Sequence, residues 1–551
     1  MKSFTIACII MFVSLSSYAV VDMKNANFSQ SWVDIEVPGT GYDMRVQRTY
    51  NSRSLHNGIF GFGWCSDFET RMNITAEGNL KITECGAGQE LFFSPRETAR
   101  KEIDQTIQKV ISKMKEEKAV GRNEEYYKKL TVELLENDVR RAQMAAQYSV
   151  AVDIKEGTKF FANGREVEHI IFQKNVYNRN LQDGSSQRFD IKGRLTHMYD
   201  KNGNFLRFEY DKENMVLVTD NNSRKLTFRY YPNKKVKEIT GPNSIKAEYK
   251  YKDLDDLVFA KNGWKNTYTY EYDELHNLTK ADWPDKTSIV LKYDNKKDWV
   301  TSFVDRKKCV ESYTYELSKE NPKGNYWSTV KKVCGKEVIA NNRYEFWYKQ
   351  RADGEWILTR VQSDIQGNVT DITYHEVTGK PTAIRKNQER IAFEYYPNGL
   401  VKTKASGIFK QNFKYDPTHN KVSEVLTDFF NQKSEKVGTR TATFQYDKKG
   451  NLIFAQNSDG QKVNMTYDGR GRIASITDQA KKLVKIQYEE RYGKPSIVTR
   501  PGLGTIKVVY KQTGEIERVD SKDGPTVALQ VASTFNNMLD IISPATTDIY
   551  L

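Results

Sequence analysis

A tyrosine that recurs at a constant interval, at the end of a short alternating segment, constrains this chain more than any other feature. Tyr251, Tyr272 and Tyr293 are evenly spaced, and the same interval returns between positions 446, 467 and 488. Within each segment every second residue is aromatic or aliphatic. Because strict alternation places such residues on one side of a strand, the repeat predicts strands with one apolar face and one polar face.

Each repeat continues into a turn with its own chemistry. An Asp after the tyrosine can accept backbone N–H groups, and a Gly three residues later supplies a positive φ. One hairpin of this size cannot bury its apolar face alone, so successive units must join into a continuous sheet. The residues that define the repeat are Tyr199, Asp200, Gly203, Tyr272, Asp273, Tyr293, Asp294, Tyr446, Asp447, Gly450, Tyr467 and Asp468.

These repeats resemble a known family. The pattern Y-D-x-x-G-N/R-L/I at 446–488, followed by a strand that ends in Tyr, resembles the YD repeat of the RHS family. The segment 48–64, which contains R-T-Y-N-S-R-S and G-F-G-W, is similar to the domain that precedes those repeats in bacterial RHS proteins. In that family the repeats form a β-sheet that spirals into a hollow shell. Some members enclose a toxin, and in animal teneurins the shell belongs to an adhesion receptor.

The resemblance implies a mainly β fold. We expect a spiralling antiparallel YD-repeat β-sheet, a partial or small shell, with an inserted α-helical hairpin and a C-terminal helix. Toxin release is not implied, because the Asp-Pro-x-Gly release motif is missing: Asp416-Pro417 is followed by Thr418 and His419. Only the short segment 511–551 follows Tyr510, so we expect no C-terminal toxin domain.

Two regions depart from the strand pattern. Apolar residues recur at helical spacing from 103 to 114 and again in a run from 124 to about 148, which predicts a helical hairpin. Its apolar stripe either covers an open edge of the sheet or docks a partner. In the repeats, the interval from Tyr415 to Tyr446 is about half as long again as the usual one, and the polar stretch 431–436 predicts an elongated loop.

The start of the chain predicts export. Lys2 precedes an apolar run from 4 to 15, and Ser17 and Ala19 are small residues suited to a cleavage site. This pattern is typical of a cleavable signal peptide, too short for a stable membrane span. No later stretch approaches about 18 consecutive apolar residues, so the mature chain should have no transmembrane segment. We expect a periplasmic, secreted or cell-surface protein.

These patterns divide the chain into six predicted segments. They are a signal peptide at 1–19, an RHS-type N-terminal β region at 20–95, a helical hairpin insert at 96–149, a β return of the N-terminal region at 150–188, the YD-repeat β-sheet at 189–520, and a C-terminal helical cap and tail at 521–551. The cap is predicted because a repeat array needs its last apolar face covered.

Four cysteines remain after the signal peptide: Cys65, Cys85, Cys309 and Cys334. An even number in an exported chain predicts two disulfides. Cys309 and Cys334 flank the turn at 321–324 almost symmetrically, so a hairpin there would bring them opposite each other. A bond between Cys65 and Cys85 follows by elimination and is the weaker prediction. The alternative is four buried, unpaired thiols.

The net charge and the absence of known catalytic motifs limit the functions that the sequence predicts. The net charge is +14, which favours anionic partners such as envelope polysaccharide, but Lys and Arg are spread over the polar faces of most strands. The six histidines lack metal-ligand spacing, and no H-E-x-x-H, G-x-S-x-G, C-x-x-C or P-loop motif occurs. The sequence therefore predicts a protein without enzymatic activity, cofactor, metal or nucleic-acid partner.

The resulting hypothesis is an exported β-scaffold for interaction at the bacterial envelope or in the extracellular space. Its aromatic content of 12% can form the lining of the sheet or present stacking platforms for sugars. The partner would be an anionic envelope polysaccharide or another envelope or secreted protein. The alternative is a shell-type carrier that encloses a separately encoded toxin or effector. An envelope hydrolase would require acidic residues clustered in a cleft.

Overall fold

The computed structural model describes most of the chain. The described residues are 20–84, 89–95, 100–116, 123–150, 152, 154–162, 165–252, 255–350, 356–376, 378–511, 514–520 and 526–527. The predicted signal peptide, Cys85 and, apart from 526–527, the predicted C-terminal helix lie outside these residues.

The N-terminal region, residues 20–93, forms three small sheets. Their strands are β1 (Val20–Val21), β2 (Phe28–Val37), β3 (Met44–Asn51), β4 (Asn57–Gly58), β5 (Gly61–Phe62), β6 (Trp64–Cys65), β7 (Arg71–Ile74), β8 (Leu80–Glu84) and β9 (Gln89–Phe93). The sheet orders are β1-β2-β3-β6, β4-β5 and β7-β8-β9. Short 3₁₀ turns occur at Asp67–Glu69 and, in the repeats, at Pro242–Ser244.

The described part of the insert contains three helices where two were predicted: α1 (Arg100–Glu116), α2 (Glu124–Glu136) and α3 (Asp138–Gln147). The second helical run divides at Asn137, whose side chain accepts a hydrogen bond from the backbone N–H of Arg140 at 2.9 Å and so caps a new helix. The apolar residues of all three helices form their own core against Ala76, in the β7–β8 turn. Arg141 reinforces this contact by donating to Glu77 at 2.7 Å.

One antiparallel sheet of 33 strands forms the rest of the described structure, which confirms the predicted fold class. Its first strands are β10 (Lys159–Ala162), β11 (Arg165–Gln173), β12 (Val176–Asn180), β13 (Ser186–Phe189), β14 (Leu195–Tyr199), β15 (Phe205–Asp211), β16 (Asn214–Asp220), β17 (Lys225–Tyr230), β18 (Val236–Thr240), β19 (Lys246–Lys252), β20 (Asp256–Lys261), β21 (Thr267–Tyr272), β22 (Leu278–Asp282), β23 (Ser288–Tyr293), β24 (Val300–Val304) and β25 (Val310–Leu317).

The sheet continues through strands that are first longer and then return to the repeat length. They are β26 (Asn325–Cys334), β27 (Glu337–Gln350), β28 (Trp356–Ile365), β29 (Asn368–Tyr374), β30 (Pro381–Lys386), β31 (Glu389–Tyr395), β32 (Val401–Ala405), β33 (Phe409–Tyr415), β34 (Val422–Phe430), β35 (Lys436–Tyr446), β36 (Leu452–Asn457), β37 (Lys462–Tyr467), β38 (Ile473–Asp478), β39 (Leu483–Tyr488), β40 (Pro495–Arg500), β41 (Gly504–Tyr510) and β42 (Ile516–Asp520). Every strand of this sheet pairs with its sequence neighbours.

Two expectations about this sheet differ from the structure. The sheet begins at Lys159, so the division at 188/189 is not a break in its hydrogen bonding. The extra residues between Tyr415 and Tyr446 do not form an elongated loop. They lengthen β34 and β35, which are joined by a tight turn in which Asn431 accepts the backbone N–H of Glu435 at 3.0 Å. A longer antiparallel pair satisfies backbone groups that a loop would leave to solvent.

A register shift recurs at the repeat tyrosines. The pairing slips between Glu271 and Tyr272, and again directly before Tyr293, Tyr446 and Tyr467. A bulge places one extra residue on one strand, which bends the pair and increases its right-handed twist. A bulge in each hairpin therefore gives the sheet a curvature that accumulates from repeat to repeat.

This curvature brings distant turns together. Because the strands follow sequence order, successive turns alternate between two rims of the sheet. The YD rim carries the turns at 273–277, 447–451 and 468–472, and the far rim carries those at 200–204 and 220–224. Twenty-one strands separate the turn at 200–204 from the turn at 447–451, a path of roughly 100 Å at ~4.8 Å per strand.

The two rims meet in a seam. Asn451 donates to the side chain of Asn202 at 2.9 Å, and Arg470 donates to Asn222 at 2.9 Å. Asn204 donates to the carbonyl of Arg470 at 3.1 Å. The partners in these three bonds lie 248 to 266 residues apart in sequence. The sheet therefore completes one revolution. The YD rim of its second revolution stacks on the far rim of the first revolution.

The N-terminal region packs on the apolar face of the first wall, strands β10–β25. Phe28 contacts Phe303, Trp32 contacts Tyr270, and Phe68 contacts Phe208. All belong to one core that runs from Val21 to Tyr313. The second wall, strands β33–β39, has a separate and smaller core that includes Phe444 and Met465.

No helix in the described part of the chain is both long enough and apolar enough to cross a membrane.

Candidate functional site

The repeat tyrosines form hydrogen bonds that the sequence did not predict. The hydroxyl of Tyr272 donates to the carbonyl of Leu257 at 2.9 Å, and that of Tyr467 donates to Leu452 at 2.8 Å, each 15 residues back. The same bond recurs at 2.6 to 2.9 Å from Tyr210, Tyr230, Tyr293, Tyr315, Tyr488 and Tyr510. Burial raises the pKa of Tyr467 to about 12, so the phenol remains a neutral donor. The tyrosine is thus a clamp between successive hairpins.

The turn residues have the predicted geometry. One oxygen of Asp447 accepts the backbone N–H groups of Lys449 and Asn451 at 2.8 and 2.9 Å, and Gly450 has a φ of 75°. Asp468 and Asp273 accept equivalent pairs of bonds, and Asp294 accepts from Lys296 and Lys297.

The first predicted copy differs in position. Asp200 and Gly203 form the same turn, with a φ of 89° at Gly203, but on the far rim instead of the YD rim. Tyr199 stacks on His197 at 5.4 Å between ring centroids. This copy differs from the others because it follows an even-numbered strand of the sheet and they follow odd-numbered ones. The local sequence pattern does not encode this difference.

Cys309 and Cys334 form the disulfide that their spacing favoured, with Cα atoms 4.3 Å apart. They lie next to the terminal residue pair of β25 and β26, which is Val310 with Val333. Cys65 is also disulfide-bonded. Cys65 lies within 4.8 Å of ligand atoms of His56 and Glu69, but a disulfide sulfur is not a thiolate ligand, so this cluster does not suit a metal ion.

The disulfide lies beside a large concavity. This junction pocket, about 1100 Å³ and open to solvent, lies between β2 of the N-terminal region and far-rim turns of the first wall. Aromatic side chains line it, among them Trp32, Trp264, Trp283 and Phe303. Trp283 stacks on Trp32 at 5.8 Å, while Trp264 is 50% exposed. No sequence pattern predicted this pocket, because its two walls come from segments that are distant in the chain.

Charged groups at the pocket are mostly paired. Lys332 donates to Asp305 at 3.0 Å and to Glu311 at 2.9 Å. Burial acts to raise the pKa of Asp305, but the hydrogen bond from Lys332 and two backbone N–H donors outweigh it and hold the pKa below its ordinary value. Arg306 packs over the Trp283 ring at 4.9 Å and pairs with Asp285. The pocket therefore combines aromatic faces with ionised groups.

A buried ion pair links β2 to β3 beneath the first wall. Arg48 and Asp34 are 2.5 Å apart with both side chains fully buried. Tyr249 donates to Asp34 at 2.8 Å, and Arg48 donates to the hydroxyl of Tyr270 at 3.0 Å. Burial opposes the charge on Arg48, but Asp34 and Tyr270 keep the pKa of Arg48 above its ordinary value. This network joins the N-terminal region to the first wall.

Comparison with known proteins matches both parts of this arrangement. The sequence model of the Teneurin YD-shell matches residues 173–332, and that of a domain of unknown function, DUF6531, matches residues 19–93. Teneurin-m of Drosophila melanogaster is 22% identical over 413 residues, which cover 69% of this chain and 14% of teneurin-m. These matches support an RHS/YD-repeat protein. The two matched segments lie in the N-terminal region and in the first part of the repeat sheet.

The chain also shows low similarity to two solved structures. The crystal structure of TcdB2-TccC3-Cdc42 has a TM-score of 0.42 and 12% identity, covering 90% of the YD-repeat protein and 28% of that chain. The Photorhabdus luminescens Tc holotoxin pore has a TM-score of 0.29 and 10% identity, covering 90% and 29%. The YD-repeat protein thus spans about a seventh of teneurin-m and less than a third of these structures.

Proposed function

We propose that this YD-repeat protein is an exported, non-enzymatic scaffold that recognises carbohydrate at the bacterial envelope or outside the cell. The junction pocket is the observation that carries the proposal. It is concave, open and lined by tryptophans, and an exposed indole offers a flat apolar face with a polar N–H, which suits the C–H face of a sugar ring.

The walls of the pocket are held in place before any ligand arrives. The disulfide fixes β25 to β26, and the Arg48–Asp34 pair fixes β3 to β2 beneath the first wall. A preorganised site loses less conformational entropy on binding than a flexible one. This rigidity supports recognition as the role of the pocket.

The charges of the pocket favour binding over hydrolysis. A glycosidase of the usual kind needs one carboxylic acid that stays protonated to donate a proton. The pKa of Asp305 is held low, and Lys332 bonds to both Asp305 and Glu311. Such a pair is suited to orienting a ligand and not to general acid catalysis.

The test uses the chain without residues 1–19 and envelope fractions in three forms: untreated, treated with periodate to oxidise sugar diols, and treated with protease. We expect binding that periodate removes and protease does not. Trp264→Ala should weaken binding about tenfold. Trp356→Ala is the matched control, because Trp356 is also exposed, at 40%, but lies on β28 outside the pocket lining.

Two outcomes would contradict the proposal. Binding that survives periodate but is lost after protease treatment would indicate a protein partner. A polypeptide that copurifies with the chain in a fixed ratio, with no affinity for envelope fractions, would favour the alternative role as a carrier.

A further inference from the structure

Three consecutive far-rim turns beside the junction pocket share one geometry. These turns, 262–266, 283–287 and 305–309, form the open ledge. In each, the first residue donates its backbone N–H to the carbonyl of the fifth at 2.9 Å, and the fourth donates to the first at 2.9 to 3.0 Å. The fourth residue is Lys265, Lys286 and Lys308, with φ values of 66°, 65° and 68°. The three lysines therefore occupy equivalent positions.

The same turn occurs in the seam with different residues at that position. In the turns at 200–204 and 220–224 the fourth residue is Gly203 and Ser223, with φ values of 89° and 61°. In these two turns, the side chains of Asn202 and Asn222 accept hydrogen bonds from the second revolution. The fourth turn position is therefore occupied by small residues where the rims stack and by lysines on the ledge.

Within the described residues, the second revolution ends before it reaches the ledge. Arg224, in the turn at 220–224, donates to the carbonyl of Arg491 at 3.3 Å, and the last described YD-rim turn ends at Glu515. In the described part of the chain, no hydrogen bond or ion pair joins the ledge turns to strands β33–β42. The rim that carries a stacked layer at the seam therefore carries none at the ledge among the residues that the structure describes.

Positive charge on the ledge is largely uncompensated. Lys265, Lys286, Lys307 and Lys308 are exposed, and none forms an ion pair with another described residue. Arg306 pairs with Asp285, and Asp305 bonds to Lys332. Adjacent ledge turns are two strands apart, so the equivalent lysines are separated by steps of roughly 10 Å.

One exposed aromatic face lies among these cations. Trp264 directly precedes Lys265 in the first turn and is 50% exposed, whereas the ring of Trp283 in the second turn is packed against Trp32 and Arg306. Evenly spaced cations beside an exposed indole suit an extended sugar polymer that carries negative charge at regular intervals.

We propose that the open ledge binds a linear acidic polysaccharide, with Lys265, Lys286 and Lys308 contacting successive carboxylates and Trp264 stacking on a sugar ring. This inference rests on the proposed function, because an exported protein meets polysaccharides outside the cell. It adds the charge of the ligand, its extended shape and its path along the rim.

The experiment compares three defined probes with the folded chain lacking residues 1–19: polygalacturonate as a linear acidic polysaccharide, dextran as a neutral one, and an oligothymidylate as a nucleic acid. We expect binding to polygalacturonate that weakens with added salt, and little affinity for dextran. The triple substitution K265E, K286E and K308E should weaken it roughly 100-fold, the scale expected for three cations facing an anionic surface.

Lys481→Glu is the matched control. Lys481 is exposed and holds the same turn position, with a φ of 55°, but on the second revolution. It should leave affinity within about twofold if the ledge is the site. Circular dichroism and thermal melting of each variant establish that the fold is retained. A loss of about fivefold in K481E, one third of the triple variant's loss on a logarithmic scale, would show that only net charge matters and would overturn the inference.

The remaining outcomes separate the two proposals. Binding to dextran and polygalacturonate alike, lost in Trp264→Ala but not in the lysine variant, would overturn the acidic ligand and keep carbohydrate recognition. Tighter binding of oligothymidylate than of polygalacturonate would overturn the polysaccharide. Binding to envelope fractions that periodate removes, with no affinity for polygalacturonate, would overturn this inference alone.

Discussion

The first and second walls are built from the same repeat but are held together differently. In the second wall, Tyr467 donates to the carbonyl of Leu452 and accepts no hydrogen bond from the N-terminal region in the described structure. In the first wall, Tyr272 makes the same bond and also accepts one from the Trp64 indole at 2.9 Å. The repeat therefore supplies the clamp, and the N-terminal region adds a second hydrogen bond to the clamp tyrosine in the first wall.

The difference separates the repeat, which curls the sheet, from the buried polar network, which joins the N-terminal region to the first wall. Strand alternation, bulge and clamp are the same in both walls, so the curl of the sheet does not depend on what covers it. The fully buried polar network of Arg48, Asp34, Tyr249 and Tyr270 exists only where two chain segments meet. The first wall is consequently the part in which single polar substitutions should be most harmful.

The largest expected effect is at the buried ion pair. Arg48→Met leaves the Asp34 carboxylate buried without its cation, and we expect a loss of about 3–5 kcal/mol in the free energy of unfolding, measured by urea denaturation. The control in the second wall is Glu424→Gln, which breaks an exposed pair with Lys414 and should cost no more than about 0.5 kcal/mol. Similar losses in both variants would remove the distinction between the walls.

The disulfide gives the next largest effect. Replacing both Cys309 and Cys334 by serine opens a link across a sequence separation of 25 residues, and about 3 kcal/mol should be lost. Hydrogen exchange should then accelerate in β24–β26 and remain unchanged in β33–β39. Faster exchange in both walls would mean that the disulfide stabilises the sheet as a whole.

The clamp itself allows a direct comparison. Tyr467→Phe removes one hydrogen bond and should cost about 1 kcal/mol. Tyr272→Phe also leaves the buried Trp64 N–H without its acceptor, so its cost should be about 2 kcal/mol. Thermal unfolding of the two variants beside the unmodified chain measures the difference, and equal costs would show that the contact with Trp64 contributes nothing.

The smallest effect is a pH dependence at the seam. Lys421 and Lys201 donate to the same carbonyl, that of Gly450, at 2.7 and 3.2 Å. Burial, and then the nearby Lys201 ammonium, lower the pKa of Lys421 from 10.5 to about 8. Between these two values the unfolded chain holds a proton that the folded chain has released, so stability rises with pH across this window.

Lys421→Met should abolish that rise, leaving the melting temperature flatter between pH 8 and 10 than in the unmodified chain. Lys414→Met is the control, because Lys414 forms an exposed ion pair in the second wall and its pKa is raised above the ordinary value. An unchanged pH profile in Lys421→Met would show that the seam does not depend on this ammonium.

The buried face of the strands, the turn geometry and one disulfide could be predicted from the local sequence pattern. Alternation placed Tyr270 and Met465 on the buried face, and the Asp and Gly of each turn form the hydrogen bonds and positive φ that their chemistry requires. The pairing of Cys309 with Cys334 follows from hairpin symmetry. Each of these depends on residues close in sequence, for which strand and turn geometry are sufficient.

Other features could not be read in this way. The hydroxyls of Tyr272 and Tyr467 bond 15 residues back and that of Tyr446 bonds 24 residues back, and a pattern of spacing alone does not distinguish this role from packing. The lengthening of β34 and β35 depends on pairing between two strands, while polar composition suggested a loop. The junction pocket joins segments that no motif connects.

By itself the sequence determined the unit: a tyrosine-ended hairpin with an Asp-capped turn, repeated until it forms a sheet. Tertiary structure decided how far that sheet turns, which rim is covered by a second revolution, and where the N-terminal region packs. The physical reason is that each bulge adds a small bend whose sum appears only after about 250 residues, when Asn202 meets Asn451. The position of Lys265, Lys286 and Lys308 on an open ledge is a consequence of that sum.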